Sequence, residues 1–83
     1  MNRDEIVNKV NDMLMQNFEL TEDKLLPSSR FVEDLGLDSL DAVDMLVHLE
    51  NQLNVKVDVE KFREVRTLGN VYDLVYEMSK ELT

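Results

Sequence analysis

A chain of 83 residues makes one domain, expected to span 1–83, and a domain this short buries only about 60–65% of its unfolded surface, so its core is small. Eighteen acidic against nine basic residues leave a formal net charge of −9, which argues against nucleic acid as a partner, repels anionic headgroups and favours basic protein surfaces. With no cysteine and one histidine, a disulfide framework and a thiolate zinc site are excluded and no transition-metal site is expected.

The opening Met1-Asn2-Arg3-Asp4-Glu5 is polar and lacks a secretory h-region, and no apolar run approaches a membrane span, so a soluble cytoplasmic protein without membrane insertion is expected. From Asp4 to Phe18, the residues Ile6, Val7, Val10, Met13 and Leu14 fall on one face, which predicts a first helix. From Glu19 to Asp38 the period lapses, Pro27 and the Ser28-Ser29 pair appear, and the segment reads as a long loop. Loops of that length need internal packing. Leu25, Phe31, Val32 and Leu35 are expected to pin this one, with a turn of helix across Arg30 to Leu35 that Gly36 stops.

Asp38 is a good N-cap with Asp41 at the capping-box position, and an amphipathic run to Leu53 predicts the second helix. Asn54-Val55-Lys56-Val57 alternates like a strand but is short and has no partner strand. Asp58 caps a short third helix from Val59 to about Glu64, and Thr67 caps the last, whose stripe is Leu68, Val71, Leu74, Val75, Met78 and Leu82. The fold class is therefore all-α: a small four-helix bundle of three longer helices and one short, with a long loop between the first and second.

On a helical wheel with Ser39 at zero, Ala42, Leu46, Leu49 and Leu53 fall between about 280° and 340°, the core face. Asp41, Asp44, His48, Asn51 and Gln52 fall between about 120° and 220°, the wet face. Leu40 and Val47, at about 100° and 80°, lie away from the core beside the carboxylates, as in a docking surface with an apolar centre and a charged rim. The plainer alternative is that single exposed apolar residues are ordinary and that acids in a first turn serve the helix macrodipole. The dipole accounts for Asp38 and Asp41, for Asp44 poorly and for Glu50 not at all.

Ser39 and His48 lie half a turn apart, so a continuous helix cannot pair them as nucleophile and base, and no enzyme activity is expected. His48 reads as an ordinary surface residue. Asp34, Asp38 and Asp41 would hold a cation weakly at best, no EF-hand loop is present, and no metal site is expected. Ser39 without a base is a poor catalyst but an accessible substrate. Free N–H groups at the helix start would favour a phosphodiester attached there, while Asp38 and Asp41 would push it outward along the apolar flank.

The stretch Asp34-Leu35-Gly36-Leu37-Asp38-Ser39-Leu40-Asp41 closely resembles the modification motif of acyl carrier proteins, D-L-G-x-D-S-L-D or E, and the order of elements matches over most of the chain. The resemblance implies that Ser39 receives a 4′-phosphopantetheine arm from coenzyme A through a phosphopantetheinyl transferase and Mg²⁺. The arm's thiol would carry acyl chains as thioesters for a fatty-acid pathway or a specialised lipid or polyketide-type one. It also implies a monomer whose second helix docks on basic patches of acyl-processing enzymes through Asp38, Leu40, Asp41, Asp44, Val47 and Glu50. An acyl chain would shelter between the helices, with Met45, Leu46, Leu49, Phe62 and Leu68 as candidates to open for it. Leu37 fits acyl rather than peptidyl carriers. The region Val57 to Leu68 departs from housekeeping fatty-acid carriers, lacking their Ile-Pro-Asp and Thr-Thr-Val pieces and adding Phe62, Arg63 and Arg66; Asn51 replaces an acid. The alternative from another class is a small acidic adaptor that binds a basic partner without a prosthetic group.

Overall fold

Helix α1, Arg3–Phe18, starts where the Asn2 side chain accepts the Glu5 N–H at 2.9 Å and buries Ile6, Val10, Met13 and Leu14, the stripe its spacing predicts. The chain is seen here in a computed structural model that describes residues 2–81, with side chains through 79. α1 ends as Glu19 turns left-handed at φ 56°.

The long connection that follows is held by hydrogen bonds that no local pattern announces. A short 3-10 turn, Glu22–Lys24, is followed by Ser29, whose hydroxyl donates to the Lys24 carbonyl at 2.6 Å and accepts the Leu26 N–H. Main-chain bonds then sew the loop to the far end of the chain: Phe31 N–H to the Arg66 carbonyl, Leu68 N–H to Ser29 and Gly69 N–H to Pro27, around an isolated bridge between Arg30 and Thr67. The expected turn is present. The Arg30 carbonyl accepts from the Asp34 and Leu35 N–H groups, and Gly36 closes the turn at φ 68°. Leu25 and Leu35 are buried as expected and Phe31 is partly so, but Val32 points to solvent and does not pin the loop. Leu37 takes that place, because its N–H donates back to the Phe31 carbonyl at 2.8 Å and turns its side chain inward.

α2 runs Ser39–Leu53, α3 Val59–Arg63 and α4 Leu68–Glu81. α2 buries Met45, Leu46, Leu49 and Leu53, with Ala42 half-buried, and Asn54 ends it left-handed. The Asn54 to Val57 segment forms no strand; Val55 and Val57 are simply buried. Asp58 caps α3 by accepting the Glu60 N–H. Thr67 and Asn70 cap α4 reciprocally, the Thr67 hydroxyl accepting the Asn70 N–H and the Asn70 amide oxygen accepting the Arg66 and Thr67 N–H groups. Leu68, Val71, Leu74, Val75 and Met78 are buried; Leu82 lies outside the described residues.

α1 packs on both α2 and α4, and α3 packs on α4, giving an all-helical bundle with one core. Tyr72 reaches across it to hydrogen-bond Asn11, and burial pushes the Tyr72 hydroxyl above its ordinary pKa. No described helix is long and apolar enough to cross a membrane.

Candidate functional site

The head of α2 is placed by the loop before it. Leu35 and Leu37 anchor in the core on either side of Gly36, so the chain must emerge at Asp38 and Ser39. The Arg30 guanidinium donates to the Asp34 carboxylate from Nε at 3.1 Å, and the Arg30 N–H joins it at 2.7 Å. Those bonds, the side-chain one foremost, hold Asp34 below the usual carboxylate range and tie the turn shut. Asp38 Oδ1 accepts the Leu40 and Asp41 N–H groups at 2.9 and 3.0 Å, and Asp41 Oδ2 accepts the Asp38 N–H at 3.2 Å. The capping box is complete. It also changes one expectation: the Leu40 and Asp41 donors are already taken, so they are not available to an anion attached at Ser39.

Ser39, first residue of α2, is exposed, and its hydroxyl has no hydrogen-bond partner among the described residues. His48 lies on another face of the continuous helix. It is not the plain surface residue its position suggested: its ring is half-buried and meets Phe18 of α1 edge-on, with centroids 6.1 Å apart, while Nε2 stands 3.6 Å from Asp44. Asp34, Asp38 and Asp41 are each committed to the turn or the cap, and the described residues hold no group of three or more ligating side chains.

Beside Ser39 opens a groove of about 790 Å³ between α2, α3 and the loop. Ala42, Val43 and Leu46 line it from α2, Val59, Phe62 and Arg63 from α3, and Arg66 from the turn beyond. Of the five residues expected to make room for a chain, Leu46 and Phe62 line this groove; Met45, Leu49 and Leu68 are fully buried core.

The outer face of α2 is apolar where a solvated helix would be polar. Leu40 is 78% exposed and Val47 48%, and Val43, 60% exposed, joins them into one stripe. The wheel singles out Leu40 and Val47 without Val43, although its spacing of three and four from them is a usable signal. Asp44 stands exposed beside the stripe, facing only His48. Glu50 has a local partner as well: its Oε2 accepts the Val57 N–H at 3.3 Å and ties the α2–α3 connection down.

A family model described as a phosphopantetheine attachment site matches residues 8–75. Relatives include the acyl carrier protein of Borreliella burgdorferi, 36% identical over 75 residues, which span 90% of this chain and 94% of that one. Another is the acyl carrier protein of Chlorobium phaeovibrioides, 33% identical over 90% of this chain and 96% of its own. The chain belongs to the acyl carrier protein family. The crystal structure of an acyl carrier protein from Thermotoga maritima shares the fold, with a TM-score of 0.85 at 20% identity over all of this chain and 96% of the other.

Members of the family are carriers and not enzymes; their prosthetic group is 4′-phosphopantetheine, on which they present acyl groups to acyl-processing enzymes. Membership displaces the adaptor reading. The residues present fit such a group: an exposed hydroxyl, unpartnered among the described residues, stands at a helix start with an apolar-walled groove beside it.

Proposed function

We propose that Ser39 is the residue of this carrier that accepts 4′-phosphopantetheine, and that 1–83 works as a single, monomeric, cytoplasmic carrier domain. The observation that supports this best is the position of the Ser39 hydroxyl, exposed and unpartnered at the edge of the groove, inside the Asp34 to Asp41 octapeptide. In loading, an Oγ–phosphorus bond forms as the pyrophosphate linkage of coenzyme A breaks; adenosine 3′,5′-bisphosphate leaves and the hydroxyl proton passes to the transferase. Once attached, the group supplies the thiol that this cysteine-free chain lacks. Asp38 and Asp41 hold Ser39 on a rigid helix start, while Leu40, Val43, Val47 and Asp44 offer partners an apolar strip with an acidic edge. Glu50 contributes to that edge less than the resemblance implies, since its carboxylate is partly committed to Val57. The arginines beside the groove favour a specialised lipid or polyketide-type cargo over the plain chains of fatty-acid synthesis.

Incubation of the apo protein with coenzyme A, Mg²⁺ and a broad phosphopantetheinyl transferase, followed by intact mass, tests the assignment. One phosphopantetheine adduct is expected, and none on Ser39→Ala. An adduct surviving the substitution would move the site elsewhere.

A further inference from the structure

This inference deepens the proposed function and rests on it. The groove beside Ser39 has apolar walls, among them Val43, Val59 and Phe62, yet its α3 side carries Arg63 and Arg66. Arg3 is paired with Asp73, and Arg30 with Asp34 and Glu33. Among the described residues no carboxylate comes within ion-pair distance of Arg63 or Arg66. Lys9, Lys24 and Lys56 also lack a carboxylate within that distance, so what sets Arg63 and Arg66 apart is that both line one groove. Arg66 is also held in position, because its Nη1 donates to the carbonyls of Arg63 at 2.9 Å and Val65 at 3.1 Å. Its Nε and Nη2 donors remain. The acids that share the groove are engaged elsewhere, Glu33 facing Arg30 and Asp38 capping α2.

We infer that this groove takes an acyl cargo ending in a carboxylate, an ω-carboxyacyl chain whose methylenes lie on Val43, Val59 and Phe62 and whose oxyanion meets Arg63 and Arg66. Apolar walls call for an apolar body, and guanidiniums without a carboxylate call for an oxyanion. A plain saturated chain meets only the first requirement. A phosphodiester on Ser39 meets only the second. The ω-carboxyacyl chain meets both.

The test loads the full chain through the transferase with octanoyl-coenzyme A or with suberoyl-coenzyme A, the same chain length ending in a carboxylate. Thermal midpoints and the arginine Nε–H resonances are then compared. The suberoyl form is expected to melt about 4–8 °C above the octanoyl form at low salt, with the Arg63 and Arg66 resonances shifted only by suberoyl. The gap should shrink by at least half at high salt and in Arg63→Gln and Arg66→Gln. Because the gap is read within each variant, any stability lost with the carbonyl bonds of Arg66 cancels. Equal midpoints for the two cargoes, or a gap untouched by both substitutions, would overturn the inference. So would arginine resonances that already move with octanoyl cargo, which would assign the arginines to the phosphate of the arm. Absence of any loaded mass would remove the carrier reading, and this inference with it.

Discussion

Gly69 lies in the first turn of α4, where helix propensity alone favours alanine by about 1 kcal/mol. In the fold its N–H donates to the Pro27 carbonyl at 2.8 Å, and a Cβ would stand 2.9 Å from that same oxygen. Gly69→Ala must therefore push α4 and the Pro27 loop apart, so the sign reverses: a cost of about 1–3 kcal/mol is expected, read by calorimetry as a lower thermal midpoint. A midpoint unchanged or raised would mean that the loop at Pro27 yields freely. Gly36 answers to a different constraint, a left-handed φ of 68° with open space around it. That requirement was legible, since a glycine after a turn of helix is a local signal. The demand on Gly69 comes from a residue distant in sequence and left no trace in its neighbours. Local caps were legible for the same reason: Asp38 with Asp41, and Asp58, sit within three residues of the donors they satisfy. The exchange of Val32 for Leu37 in the core was not, because an irregular loop has no period to read, and its register is set by the Leu37 bond to Phe31 and the bridge from Arg30 to Thr67.

At the scale of elements, periodicity carried the four helices to within a residue or two, and its failures are informative. Met45, at about 240° on the wheel, falls outside the stripe read from the sequence yet is fully buried, because α2 packs on α1 as well as over the common core. The face of α2 left over is the one that matters for partners. Its Asp38 and Asp41 also serve the cap and Glu50 the Val57 N–H, so Asp44 is the acid whose loss disturbs no backbone hydrogen bond. Asp44→Lys is accordingly expected to keep the fold and its helical circular dichroism while lowering kcat/KM for transferase loading roughly fivefold at low salt, through lost electrostatic attraction. The deficit should close as ionic strength rises and the Debye length falls from about 10 Å at 0.1 M to about 3 Å at 1 M. An unchanged loading rate at low salt would count against α2 as the docking face.

The whole molecule holds a net charge of −9 within a radius of gyration of 11.5 Å, close to the roughly 12 Å of a neutral folded chain of this length. Packing of the shared apolar core therefore outweighs the self-repulsion without relieving it. Two salt effects then oppose each other. Screening weakens exposed ion pairs such as Arg3 with Asp73 and Lys61 with Glu77, each contributing about 0–1 kcal/mol. It also weakens the repulsion among the surplus carboxylates, which extends over the whole surface and grows with the square of the net charge. With twice as many acids as bases the second effect should win. The thermal midpoint of the apo protein is expected to rise by several degrees as sodium chloride increases from about 10 mM to about 0.5 M, where the Debye length drops below the spacing of most surface charges. Helices that carry their acids toward partners would thus be held below their attainable stability when alone at low salt, and a basic docking patch would supply the same relief as salt. A midpoint that stays flat or falls over that range would show that the exposed ion pairs, and not the net charge, govern the stability of the fold.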